Sequence, residues 1–209
     1  MKRVLLIGDS IRKGYDKSVQ ETLKGAAEVY FPEENCRFAS YILRYFNDYM
    51  ALVPEGNADV IHWNAGLWDC LHMFGEEPFA PIEIYTYYID RICARIKTQF
   101  PNAKVIFATS TSVQSEKMSD TFKRYNEEIE AYNAAAISVV TKYGFSVNDL
   151  YAVSTMLPEE AHSDAVHYYT PVGTEAFTKE VVQKICSIAD LPIPAAYQEK
   201  LYEDEPIGI

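Results

Sequence analysis

The sequence predicts an α/β protein, a single doubly wound domain in which helices cover both faces of a parallel sheet. Three observations support this prediction. Short apolar segments alternate five times with longer amphipathic segments along the 209 residues. The apolar segments stop at glycine, proline or polar runs, as buried parallel strands do. The chain is 48% apolar, and its length suits one well-buried core and is short for two domains.

The first strand is predicted over residues 4–7, a run of Val-Leu-Leu-Ile that ends at Gly8. A helix is predicted over 11–24, because apolar side chains recur there at four-residue spacing and Gly25 follows as a stop signal. The turn between them, Gly8-Asp9-Ser10, therefore lies at the carboxyl end of a buried strand, where open α/β sheets bind their ligands.

Four further strand-and-helix pairs complete the predicted domain. The strands are predicted at residues 26–31, 59–64, 103–109 and 145–147, and the helices at 39–52, 82–99, 120–143 and 171–188. Residues 151–170 are predicted to be irregular. The single domain is expected to span 1–190, followed by a surface-packed tail over 191–209.

Polar segments follow several of these strands. Right-handed crossovers place the carboxyl ends of all parallel strands at one edge of the sheet. We therefore expect the Ser10 turn to meet three other segments at that edge: 35–37 (Asn-Cys-Arg), 64–69 and 110–111.

Charge and composition exclude several classes of function. The formal net charge is −11 and no basic cluster is present, so neither a nucleic acid nor an anionic membrane is an expected partner. The apolar run at the start is only about four residues, shorter than the ~7–15 of a signal peptide, and nothing approaches the ~20 of a membrane span. We predict a cytoplasmic protein. The oligomeric state stays open.

The four cysteines show no metal-binding spacing. Cys36, Cys70, Cys93 and Cys186 are far apart and form no CxxC or Cys/His group. We expect free, mostly buried thiols, with no metal and no cofactor.

Ser10 has two interpretations. It can cap the following helix as an ordinary N-cap residue, or it can act as a nucleophile. A nucleophilic serine requires a histidine base and a carboxylate that orients the base. Asp164 and His167 provide both within one short turn, just before the last predicted helix. The combination favours the nucleophile.

These motifs resemble the GDSL, or SGNH, esterase/lipase superfamily over nearly the whole chain. The resemblance rests on Gly8-Asp9-Ser10 near the start and on residues 164–167 (Asp-Ala-Val-His) near the end. It implies a flavodoxin-like three-layer α/β/α sandwich with five parallel strands in the order 2-1-3-4-5. It also implies that Ser10 is the nucleophile, His167 the general base and Asp164 its orienting partner.

The two middle motifs of the family are altered here. Residues 35–37 occupy the place of the second motif, with Cys36 at the position of a glycine whose N–H enters the oxyanion hole. In the third motif, Trp68 stands where an asparagine is expected. Asn64 is the nearest amide that can replace it, or else it is a structural residue at the strand end. The expected oxyanion hole therefore consists of the N–H groups of Ser10 and Cys36 with the side chain of Asn64.

Substrate contacts are expected from Arg12, Arg37 and Trp68, although surface salt bridges explain the two arginines equally well. Tyr15 and Tyr168 are further candidates for stacking on a sugar or for lining an apolar site. The predicted activity is hydrolysis of short-acyl esters, above all acetyl esters on carbohydrates. Three alternatives stay open: lysophospholipase or thioesterase chemistry, an acyltransferase with the same triad, and a non-catalytic carbohydrate-binding protein on the same scaffold.

Overall fold

The structure of the protein is a computed structural model that describes residues 1–198. Its strands, in chain order, are β1 (Lys2–Ile7), β2 (Ala27–Tyr30), β3 (Val60–Trp63), β4 (His72–Met73), β5 (Lys104–Ala108), β6 (Phe122–Lys123) and β7 (Ser146–Asn148). Its α-helices are α1 (Ser10–Thr22), α2 (Ala39–Met50), α3 (Ile82–Gln99), α4 (Asn126–Val140), α5 (Leu150–Thr155) and α6 (Pro171–Ala189).

The five longer strands form a parallel sheet in the order β2-β1-β3-β5-β7. Counted along the sheet strands alone, this is the predicted order 2-1-3-4-5. Helix α1 packs against α6, whereas α2, α3 and α4 pack side by side as a second layer. The predicted three-layer α/β/α fold is thereby confirmed. Residues 4–7 of β1, an interior strand of the sheet, are fully buried, as expected for a strand covered on both faces.

Two local predictions were wrong. The helix predicted over 120–143 begins only at Asn126, whose side chain bonds to both backbone groups of Val113 (2.9 Å each). The preceding β6 instead pairs antiparallel with β4. Residues predicted as irregular contain α5, which Asp149 caps by accepting from the Ala152 N–H at 3.1 Å.

The described part of the tail, residues 191–198, lies against α1 and α6. The Gln198 N–H donates to Thr22 Oγ1 at 2.8 Å, and Gln183 donates to the Tyr197 hydroxyl at 3.1 Å. The rest of the predicted tail, 199–209, lies outside the described residues. Within residues 1–198, none of the helices is long and apolar enough to cross a membrane.

Candidate active site

The turn that carries Ser10 is fixed by its neighbour Asp9. Strand β1 ends at Ile7 and α1 begins at Ser10, so the turn is only two residues long. Asp9 is fully buried and caps α1, with its Oδ1 accepting from the Ile11 N–H at 2.9 Å. Because Asp9 fills the capping position, the hydroxyl of Ser10 is not needed as a cap. The interpretation of Ser10 as an ordinary N-cap is therefore wrong.

His167 bridges Ser10 and Asp164. Its Nε2 lies 2.8 Å from Ser10 Oγ, and its Nδ1 lies 2.7 Å from Asp164 Oδ2. The other carboxylate oxygen, Oδ1, accepts from the backbone N–H groups of Val166 (2.7 Å) and His167 (2.8 Å). These bonds fold residues 164–167 into a tight turn that presents the histidine ring to Ser10, 157 residues away in sequence.

The electrostatics of this chain favour an ionised Asp164. Burial alone raises the pKa of Asp164, but the hydrogen bonds from the His167 side chain and from the two backbone N–H groups outweigh it and lower the pKa to about 2. An ionised Asp164 accepts a hydrogen bond from Nδ1–H of His167. The lone pair of Nε2 then faces the Ser10 hydroxyl, the arrangement that a general base requires.

Tyr169 supports the histidine and was missed by the sequence analysis. Its ring stacks on His167, with centroids 4.8 Å apart and planes 22° apart, and its hydroxyl donates to the Ser10 carbonyl at 2.7 Å. Gly14 makes room for this ring, because a Cβ added there would lie 2.8 Å from the ring of Tyr169. The only sequence signal for this role was that Tyr169 follows His167 by two residues.

The two tyrosines considered as sugar-stacking residues are core residues instead. Tyr15 and Tyr168 are 1% and 3% exposed, and the Tyr168 hydroxyl donates to the Ser112 carbonyl at 2.9 Å. They are therefore packing residues.

Asn64 lies directly against the Ser10 turn. A Cβ added to Gly8 would lie 1.8 Å from Asn64 Oδ1, so only glycine permits this approach. The backbone N–H of Asn64 donates to the Ile7 carbonyl at 3.0 Å, which holds the ends of β1 and β3 together. Burial raises the pKa of Asp9, and a hydrogen bond from the Asn64 side chain to the Asp9 carboxylate opposes that rise. Asn64 therefore lies beside the Ser10 turn, and its oxyanion role stays a prediction, whereas Trp68 is half-buried in the following turn.

The structure contradicts the oxyanion role predicted for Cys36. Its backbone N–H donates to the Gly8 carbonyl at 3.1 Å and is therefore already bonded. Its thiol is fully buried, and burial raises the pKa of that thiol. Cys36 instead ties the loop after β2 to the Ser10 turn.

Arg12 is also placed differently from the prediction. Its guanidinium is fully buried, forms an ion pair with Asp16, and donates to the carbonyls of Pro32 (2.8 Å) and Glu34 (2.6 Å). It therefore holds the 32–36 loop in place and does not reach a substrate. Arg37, by contrast, is exposed and lies 5.3 Å from the Tyr41 ring centroid.

Asp69 is a further buried acid that the sequence analysis gave no role. Its two oxygens accept from the Ala39 N–H at 3.2 and 3.1 Å, so Asp69 caps α2 from a distant turn. Burial raises its pKa to about 7, despite that hydrogen bond. Among residues 1–198, no group of three or more His, Cys, Asp or Glu side chains is arranged to hold a metal ion.

Comparison with known proteins supports the fold. No protein-family model matches the sequence, and no curated protein matches it. Among solved structures, the chain is similar to a lipase/acylhydrolase from Enterococcus faecalis, at 19% identity, with a TM-score of 0.73 and coverage of 94% of this chain and 100% of that one. It is also similar to Axe2, an acetylxylan esterase from Geobacillus stearothermophilus (13% identity, TM-score 0.67, 88% and 94% covered). A GDSL-like lipase from Bacteroides thetaiotaomicron matches at 16% identity, with a TM-score of 0.66 and 89% and 88% covered. The fold is therefore that of the GDSL-like lipases and acylhydrolases.

Proposed function

We propose that the protein is a serine esterase of the GDSL/SGNH superfamily, with Ser10 as nucleophile, His167 as general base and Asp164 as its orienting carboxylate. The observation that carries this proposal is the continuous hydrogen-bonded chain from Ser10 Oγ through His167 to Asp164, with lengths of 2.8 and 2.7 Å. An intact nucleophile–base contact also argues against a non-catalytic binding protein.

The proposed reaction has two half-reactions. Ser10 Oγ attacks the ester carbonyl while His167 Nε2 takes the hydroxyl proton. The bond to the leaving alcohol then breaks, and His167 returns the proton to that alcohol. Next, His167 removes a proton from water, which attacks the acyl-Ser10 ester and releases the acid. Asp164 keeps its charge throughout, since its pKa of about 2 lies far below neutral pH.

The oxyanion is proposed to be held by the Ser10 N–H and the Asn64 side chain. Ser10 is the first residue of α1, so its N–H belongs to the helix terminus, where the positive end of the dipole favours negative charge. Asn64 packs on Gly8, two residues away from the nucleophile. A preorganised donor of this kind stabilises the transition state by roughly 3–4 kcal/mol.

The proposed substrate is a short acyl ester, above all an acetyl ester, on a carbohydrate. Two of the structures with this fold are described as acetyl xylan esterases. A group of aromatic side chains also follows Cys36, whose N–H is bonded to the Gly8 carbonyl of the Ser10 turn. In this group, the rings of Phe38 and Phe79 lie 4.7 Å apart and those of Tyr41 and Tyr45 4.4 Å apart. Phe79 is exposed and the other three rings are half-buried. Partly exposed aromatic faces of this kind suit sugar rings.

Initial rates on 4-nitrophenyl acetate, butyrate and octanoate test the reaction and the chain length together. We expect kcat/KM to be highest for acetate and lowest for octanoate, and Ser10→Ala to abolish turnover of all three. Asp164→Asn should reduce the rate by up to ~10⁴-fold, since the wrong tautomer of His167 then predominates. A Ser10→Ala variant as active as the wild type would refute the mechanism, whereas a preference for octanoate would refute only the acyl length. Release of acetate from an acetylated oligosaccharide tests the sugar.

A further inference from the structure

Arg124 is a buried arginine beside the proposed active site. It lies between β6 and α4 and is 2% exposed. Its Nε donates to the carbonyl of Leu67, in the turn that runs from Asn64 to Asp69. Arg124 therefore contacts the same strand-end turn that supplies the proposed oxyanion amide.

The guanidinium of Arg124 has few partners for a buried charge. Its Nη1 is buried and has no hydrogen-bond acceptor, and it forms no ion pair with any side chain that the structure describes. The centroid of the Phe122 ring lies 5.2 Å from the guanidinium carbon. Arg12, the other buried arginine discussed above, has both a carboxylate partner and several carbonyl acceptors.

A guanidinium removed from water without a counter-ion is strongly unfavourable, so buried charges in proteins are almost always paired. Burial accordingly lowers the pKa of Arg124, while Cys70 and the charges of Asp9 and Asp164 oppose that effect. Asp9 precedes Ser10 and Asp164 is bonded to His167, and the contact with the Leu67 carbonyl places Arg124 at the strand-end turn that also contains Asn64. The partner that Arg124 lacks is an anion, and a planar guanidinium binds a carboxylate through two N–H groups.

We propose that Arg124 binds a carboxylate carried by the ester substrate. This inference rests on the proposed esterase function and deepens it, because it makes the substrate a neutral ester that bears a separate carboxylate. The net charge of −11 cannot attract such an anion from a distance. Any preference for anionic over neutral esters must therefore come from contacts within the site.

Matched pairs of esters test this specificity. 4-Nitrophenyl hydrogen succinate is paired with 4-nitrophenyl butyrate, which places the carboxylate on the acyl side. 4-Acetoxybenzoate is paired with 4-acetoxybenzamide, which places it on the alcohol side. We expect the wild type to prefer the anionic member of at least one pair by 10-fold or more in kcat/KM. Arg124→Met should reduce that ratio by 10- to 100-fold, and Arg124→Lys should reduce it less.

Arg95→Met is the matched control, because Arg95 also donates to a backbone carbonyl (Leu43, 2.7 Å) but packs between α2 and α3. It should leave the ratio unchanged. If Arg124 serves only to hold the Leu67 carbonyl, Arg124→Met will slow both members of each pair equally. That outcome, or a wild type without preference in either pair, would overturn the proposal.

A binding measurement separates this proposal from the esterase proposal. Titration of the Ser10→Ala protein with succinate or benzoate requires no catalysis. We expect one of these carboxylates to bind, and Arg124→Met in the same background to weaken binding at least 10-fold. If the wild type proves inactive on every ester, carboxylate binding that depends on Arg124 would still support its role. A folded Ser10→Ala protein that binds neither anion would refute it.

Discussion

Replacing Arg12 by methionine should destabilise the fold without abolishing the chemistry. The variant leaves the Asp16 carboxylate, which is 3% exposed, buried without its partner, and it leaves the carbonyls of Pro32 and Glu34 without their donor. Removing one member of a buried ion pair costs about 3–5 kcal/mol. A domain of this size loses roughly 2–4 °C in melting temperature per kcal/mol. We therefore expect the melting temperature to fall by roughly 6–20 °C.

Thermal unfolding followed by circular dichroism, together with steady-state kinetics well below the melting temperature, checks this expectation. The double variant Arg12→Met/Asp16→Leu should recover part of the lost stability, because it no longer buries an unpaired charge. Arg37→Met is the control for an exposed arginine and should change stability by less than about 0.5 kcal/mol. If Arg12→Met instead leaves the melting temperature unchanged and raises KM, the reasoning is wrong and Arg12 binds substrate.

Three further predictions concern the site and its supports. Asn64→Ala should lower kcat by ~10²–10³-fold with KM nearly unchanged, whereas a lower melting temperature with an intact rate would show a purely structural role. Because the pKa of Asp69 is raised to about 7, the folded state binds a proton that the unfolded state releases above pH ~4. Urea unfolding should therefore show wild-type stability falling between about pH 4 and 7 relative to Asp69→Asn, and parallel curves would contradict this. Gly14→Ala should displace the Tyr169 ring and lower kcat by up to about 100-fold. The same change in a Tyr169→Ala background should have little effect, and an equal loss there would exclude the ring as the cause.

The sequence carried enough information to predict the layers and strand order of the sheet. The apolar run of β1 and the four-residue periodicity of α1 both reflect burial. Because each pattern extends over a whole segment, it identifies the element even when its exact ends are misplaced. The start of α4 was placed six residues too early, because the pairing of β6 with β4 is a tertiary contact that no periodicity reveals.

The errors near Ser10 came from reading sequence proximity as spatial direction. Arg12 follows Ser10 by two residues, but successive helical residues turn by about 100°, so Arg12 points about 200° away from the serine and into the protein. The direction of the Cys36 N–H was set by its bond to Gly8, which no residue type indicates. The sequence could not predict a role for Arg124, because its lack of an ion-pair partner depends on which residues surround it in the fold.

The resemblance to a known family was informative where chemistry constrains side chains. The chemistry requires a serine, a histidine and a carboxylate in contact, and Ser10, Asp164 and His167 meet at 2.8 and 2.7 Å as that pattern implies. The oxyanion donors are less constrained, because any suitably placed N–H serves. There the pattern identified Cys36 wrongly, since its N–H is bonded to Gly8. The role of Asn64, chosen in place of the asparagine expected at position 68, stays a prediction.

Covalent labelling with a fluorophosphonate reports directly whether Ser10 is an activated nucleophile. We expect one adduct, located on Ser10 by mass spectrometry, which is absent in Ser10→Ala and forms far more slowly in His167→Ala. The hydrogen bond between His167 Nε2 and Ser10 Oγ is the reason for both expectations. The absence of any adduct on the folded wild type, or an adduct on another serine that persists in Ser10→Ala, would contradict the assignment of Ser10 as the nucleophile.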